Sequence, residues 1–88
     1  AIPQSKLSYA EQKEREKLIK RARKAVADTE ALIASIESNI AELEAKIASG
    51  EFSPDSFNQH AKMQKQLENA MSQWELASLE LEELETKS

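Results

Sequence analysis

"ASGEFSPDSFNQ", residues 48–59, breaks an otherwise continuous helical pattern and decides how the chain folds. Gly50, the only glycine of 88 residues, can take the left-handed conformation just past a helix end, where a side chain would clash. Ser53 is a favoured N-cap. Pro54 suits the first helical position, where its missing N–H costs nothing, and Asp55 sets a negative charge at the positive helix end. Phe52 and Phe57 fall at the positions that form a hydrophobic staple around such a start. A stop, a short loop and a stapled restart predict a helical hairpin.

Outward from the turn, both flanks carry the same repeat. On the N-terminal side Ile19, Ala22, Val26, Thr29, Ile33, Ile36, Ile40, Leu43 and Ile47 alternate spacings of three and four. With Ile19 as heptad position a, every a site up to residue 47 is Ile or Val. On the C-terminal side His60, Met63, Leu67, Ala70, Trp74, Ala77, Leu81 and Leu84 follow the same rule. A repeat of about 3.5 residues sustained over about four heptads is the signature of a coiled coil. A turn centred near residue 52 opposes positions whose numbers sum to about 103, so Thr29 faces Trp74, Ile33 faces Ala70 and Ile40 faces Met63. Large residues meet small ones through much of this register, as close packing requires.

Ser8 followed by Glu11 fits a capping box and starts the first helix. The expectation is an all-α, two-helix antiparallel coiled-coil hairpin occupying residues 8–88. Its helices cover about 8–49 and about 54–87, joined by a turn at about 50–53 and preceded by a linker or extension over 1–7. At 1.5 Å rise per residue the first helix is a rod of roughly 60 Å and the second roughly 50 Å.

Composition agrees. The chain is rich in Ala, Glu, Lys and Leu and has no Cys, so it forms no disulfide framework or thiolate metal site. Apolar runs stop at two or three residues, which excludes a membrane span and a secretory leader within this sequence and makes cytoplasm the expected location. Enzymatic chemistry finds no foothold. His60 is the single histidine and sits on the seam; no nucleophile stands with a base and an orienting acid. One glycine cannot build a phosphate loop. The carboxylates of "LELEELE", residues 79–85, lack the turn of a calcium loop. No catalytic, cofactor-binding or metal-ligating residue is therefore expected in this chain.

Charge is distributed unevenly. Residues 1–24 hold eight Lys and Arg against three Glu, a balance of 8 − 3 = +5, although the whole chain carries −4. Residues 66–88 hold one Lys against six Glu, 1 − 6 = −5. On the heptad frame Lys13, Lys17, Lys20, Arg21 and Lys24 take b, c and f positions, turned away from the partner helix. A row of cations along a helix face can follow a phosphate backbone and release its counterions. No aromatics interleave with the row, so contact to phosphate or shape is indicated rather than base readout. The competing reading is a solvated helix face, neutralised by Glu11, Glu14 and Glu16 or by Glu80 and Glu85 of the returning helix.

Two stretches carry a family resemblance. "KLSYAEQKERE" (6–16), the long helix after it, and a return helix ending "WELASLELEEL" (74–84) resemble the C-terminal coiled-coil domain of bacterial ABC-F ATPases. Leu7, Ser8, Tyr9, Glu11, Gln12 and Glu14 match the opening motif; Trp74, Glu75, Leu81 and Leu84 match the closing one. Gln73 departs from the Arg that commonly precedes the Trp. The resemblance implies an accessory domain of a cytoplasmic protein with two ATP-binding cassettes and no membrane domain, acting on the ribosome and translation. ATP and Mg would belong to the parent's cassettes. This domain's partners would be those cassettes and nucleic acid, DNA or ribosomal RNA. A monomer is expected. The alternative is a structural or dimerising coiled coil joined through Leu18, Leu32, Leu76 and Leu79. A tRNA-binding hairpin arm of the kind some synthetases carry would share the fold but not the "LSYAEQ" opening.

Overall fold

The computed structural model describes residues 8–51 and 53–86. The proposed linker over 1–7 with Lys6, the staple residue Phe52 and the terminal Lys87 lie outside them. Helix α1 runs Tyr9–Ala48 and helix α2 runs Pro54–Thr86. They pack side by side as an antiparallel hairpin, a rod roughly 60 Å long at the 1.5 Å rise of a 40-residue helix and 14 Å across.

Local chemistry sets each end. Ser8, in extended backbone, accepts the Glu11 N–H at 3.2 Å, while its hydroxyl donates to Glu11 Oε1 at 3.2 Å. At the other end of α1, Gly50 adopts φ +88°. The Gly50 N–H donates to the Ile47 carbonyl at 3.1 Å and that of Glu51 to Lys46 at 2.9 Å. This paired closure satisfies carbonyls that would otherwise lack partners. Helix α2 starts at Ser53 with a reciprocal bond the sequence reading did not anticipate. The Ser53 N–H donates to Ser56 Oγ at 3.0 Å, and the Ser56 N–H returns to the Ser53 carbonyl at 2.9 Å. Ser56 is buried and adds a layer to the seam one turn before His60.

Every predicted seam position from Ile19 to Leu84 is buried or half-buried. The centre is Ile36, Ile40 and Ala70, with Ile33, Met63 and Leu67 packed against them, as the 103 register requires. Ala70, at 2% exposure the tightest site, accommodates the facing isoleucines because it carries only a methyl group. Thr29 is a polar seam residue without cost: its hydroxyl donates to the Ala25 and Val26 carbonyls, both at 2.9 Å. No described side chain is wholly enclosed. Two helices cannot surround a residue, so each contributes less than the ~1.5–3 kcal/mol of complete burial. Among the described residues no helix is long and apolar enough to cross a membrane.

Candidate nucleic-acid interface

The cationic row lies on the first four turns of α1. Lys13, Lys17, Lys20, Arg21 and Lys24 are all exposed. Their spacings of three, four and seven residues bring them onto one outward face, and from Lys13 to Lys24 the row spans about 16 Å. Tyr9, Lys13, Lys17 and Lys20 line one shallow hollow there, together with Ala10, Glu14 and Glu16.

The five cations differ in how firmly they are held. Lys24 Nζ bonds Asp28 Oδ2 at 2.9 Å, one helical turn on. That hydrogen bond, with the attraction of the carboxylate, raises the lysine's pKa above its ordinary value. Lys13 Nζ sits 5.7 Å from the centroid of the Tyr9 ring, within cation–π reach. Lys17, Lys20 and Arg21 make no ion pair within 4.0 Å among the described residues. Glu14 and Glu16, the expected same-helix partners, likewise make no ion pair within 4.0 Å among the described residues, and Glu11 is engaged at the cap. The middle of the row therefore has acidic neighbours but no direct ion pair within 4.0 Å among the described residues.

The returning helix reaches only the residues nearest the seam. Arg23 Nη2 pairs with Glu85 Oε2 at 2.9 Å, and the half-buried Arg15 donates from Nη2 to the Leu84 carbonyl. Glu82 and Glu83 project from α2 at b and c positions, facing away from α1. The rod is 14 Å thick, more than the Debye length of about 8 Å at physiological ionic strength. The basic face and the acidic outer face of α2 thus act almost independently in solution.

Such a face costs stability. Lys13–Lys17, Lys17–Arg21 and Lys20–Lys24 are like-charge pairs four residues apart, each destabilising by roughly 0.2–0.5 kcal/mol. A surface helix built for stability alone would alternate the signs. Tyr9, 74% exposed, stands one turn before Lys13 and heads the row with an aromatic ring. Tyr9 lies outside the five expected cations, and its spacing of four from Lys13 is the sequence signal that places it on the same face. Among the described residues no three His, Cys, Asp or Glu converge as a metal-binding group would. No protein-family model, curated protein or solved structure matches the chain.

Proposed function

We propose that this hairpin is an accessory domain that binds nucleic acid, DNA or ribosomal RNA, through the phosphate-facing row Lys13, Lys17, Lys20, Arg21 and Lys24. The observation that carries the reading is the set Lys17, Lys20 and Arg21, exposed and without ion-pair partners within 4.0 Å among the described residues. Ammonium and guanidinium groups in this state lose no internal pairing when they meet phosphate, and counterion release supplies the driving force. The resemblance of residues 6–16 and 74–84 to the C-terminal domain of ABC-F ATPases supports the same direction. In that setting ATP and Mg act in the parent's cassettes, and the rigid rod extends the protein's reach toward the ribosome.

A titration tests this. Binding of duplex DNA and of structured RNA is measured at several salt concentrations, then repeated with Lys17, Lys20, Arg21 and Lys24 all changed to Glu. Salt-sensitive binding that the charge reversal abolishes is the expected result. Absence of binding at low salt rejects the reading, and binding indifferent to the substitutions moves the site elsewhere.

A second reading, a dimerising coiled coil, rests on exposed leucines. Leu76 and Leu79 are 69% and 58% exposed and Leu18 and Leu32 37% and 45%. On the heptad frame Leu18 and Leu32 take g positions of α1, while Leu76 and Leu79 take c and f of α2, so they form no single stripe. Sedimentation at increasing concentration separates the readings: a monomer throughout disfavours the dimer.

A further inference from the structure

Along one flank of the rod two shallow hollows repeat with a period of two heptads. The first is lined by Glu30, Ile33, Met71, Trp74 and Glu75. The second is lined by Glu44, Ile47, Phe57 and His60, with Ala48. Each measures about 340 Å³. Glu30 and Ile33 recur fourteen residues later on α1 as Glu44 and Ile47; Met71 and Trp74 recur fourteen residues earlier on α2 as Phe57 and His60. Opposite shifts are what an antiparallel pair demands of a true repeat.

The hydrogen bonding repeats as well. Trp74 Nε1 donates to Glu30 Oε2 at 3.2 Å, and His60 Nε2 lies 3.0 Å from Glu44 Oε2. In both hollows a seam heterocycle of α2 is held against α1 by a carboxylate at heptad position e. Neither hollow is lined by Lys or Arg. Glu37 occupies the e position between them, so the flank joining the hollows is acidic. This surface is separate from the basic row at the b, c and f positions near the start of α1.

We propose that this flank docks a basic amphipathic α-helix of a partner protein, whose two Arg side chains, fourteen residues apart, seat in the twin hollows. An arginine suits each hollow, because its guanidinium can stack on an aromatic ring while its N–H groups meet a carboxylate. The hollows are about 21 Å apart along α1, the rise of fourteen helical residues. That is two heptads, so a helix laid along the flank and supercoiling with it presents both side chains to the same side. A second copy is a poor occupant, since a twofold contact through this flank would bring two acidic surfaces together. A phosphate backbone is repelled for the same reason.

The test uses Trp74, the only tryptophan, as reporter. The probe is a synthetic Ala- and Lys-rich helical peptide of about twenty residues, with two arginines fourteen positions apart. The peptide should change the Trp74 emission saturably. A control peptide has its second arginine moved two positions, onto the opposite face; it should bind roughly tenfold more weakly or worse, a difference of about 1.4 kcal/mol. The same loss is expected for Glu30→Gln with Glu44→Gln, which keeps an oxygen acceptor for each ring but removes both charges. Glu80→Gln with Glu83→Gln makes the same change in net charge off this flank and should leave affinity intact. Circular dichroism verifies that each variant is folded. Equal affinity for both peptides, no emission change, or equal loss in the two double variants would overturn the proposal. So would self-association that shifts the Trp74 signal without peptide, since a second copy would then be the occupant.

Discussion

Replacing Lys17, Lys20 and Arg21 by Gln removes three of the four cations of the basic row that make no ion pair within 4.0 Å among the described residues, and leaves Lys13 by Tyr9 and Lys24 on Asp28. For B-DNA each neutralised phosphate contributes about −0.9 to the slope of log K against log salt. Five contacts give a slope of about −4.5, and the two that remain about −1.8. Raising salt fourfold, from about 50 to about 200 mM, should therefore weaken the parent chain about 500-fold and the triple variant only about 12-fold. Fluorescence anisotropy with a labelled duplex of arbitrary sequence reads both slopes directly. The same substitutions relieve the three like-charge pairs along the row, each costing roughly 0.2–0.5 kcal/mol. Gln has nearly the helix propensity of Lys and Arg, so the variant should be as stable as the parent or up to about 1 kcal/mol more stable. Weaker binding together with an equal or higher Tm is a combination that general damage to the fold does not produce. An unchanged salt slope in a folded triple variant would show that Lys17, Lys20 and Arg21 make no phosphate contacts. So would a single Lys24→Gln variant that loses as much slope as the triple, because that would place the contact at the one cation already paired.

Two further predictions concern the hairpin itself. Gly50→Ala should cost about 1–2 kcal/mol, read as a lower Tm by circular dichroism: a new methyl would meet nothing within 4 Å, but φ +88° is strained for any side chain. Ala70→Leu should cost about 1–3 kcal/mol, because the 2% exposed methyl is packed against Ile36 and Ile40, with Ile33 beside them, and a larger side chain must push the helices apart; a Tm equal to the parent's would show that the helices separate more easily than their packing implies.

Much of the fold was legible because its rules are local. The serine at residue 8 and the glycine at 50 act within one turn of themselves, and each does in the structure what its chemistry demands, while α2 opens at Pro54 as the Ser53–Pro54 pair predicts. The seam was readable too, since a 3.5-residue repeat needs only spacing, and the turn then sets the register. Ser56 escaped notice because its part in the cap is an exchange with Ser53 rather than a residue-type signature. The candidate site was legible in position but not in state. Heptad geometry turns the five cations outward, yet Asp28 rather than Glu14 or Glu16 takes up a charge, and Tyr9 sits beneath Lys13.

Local rules in the chain set two helices, the cap and glycine stop of α1, the pairing register and the outward direction of the basic row. These follow from hydrogen bonds and side-chain periodicity over at most a few turns. Only the tertiary structure decided which charges are spent across the seam, with Arg23 on Glu85 and Arg15 on the Leu84 carbonyl. It alone brought Glu30 to Trp74 and Glu44 to His60 and so made two matching hollows on one flank. The physical reason is distance along the chain. Those partners lie 16 to 69 residues apart. Side-chain reach of an ångström or two, set by how the rods settle against each other, chooses among acceptors that are equivalent in sequence.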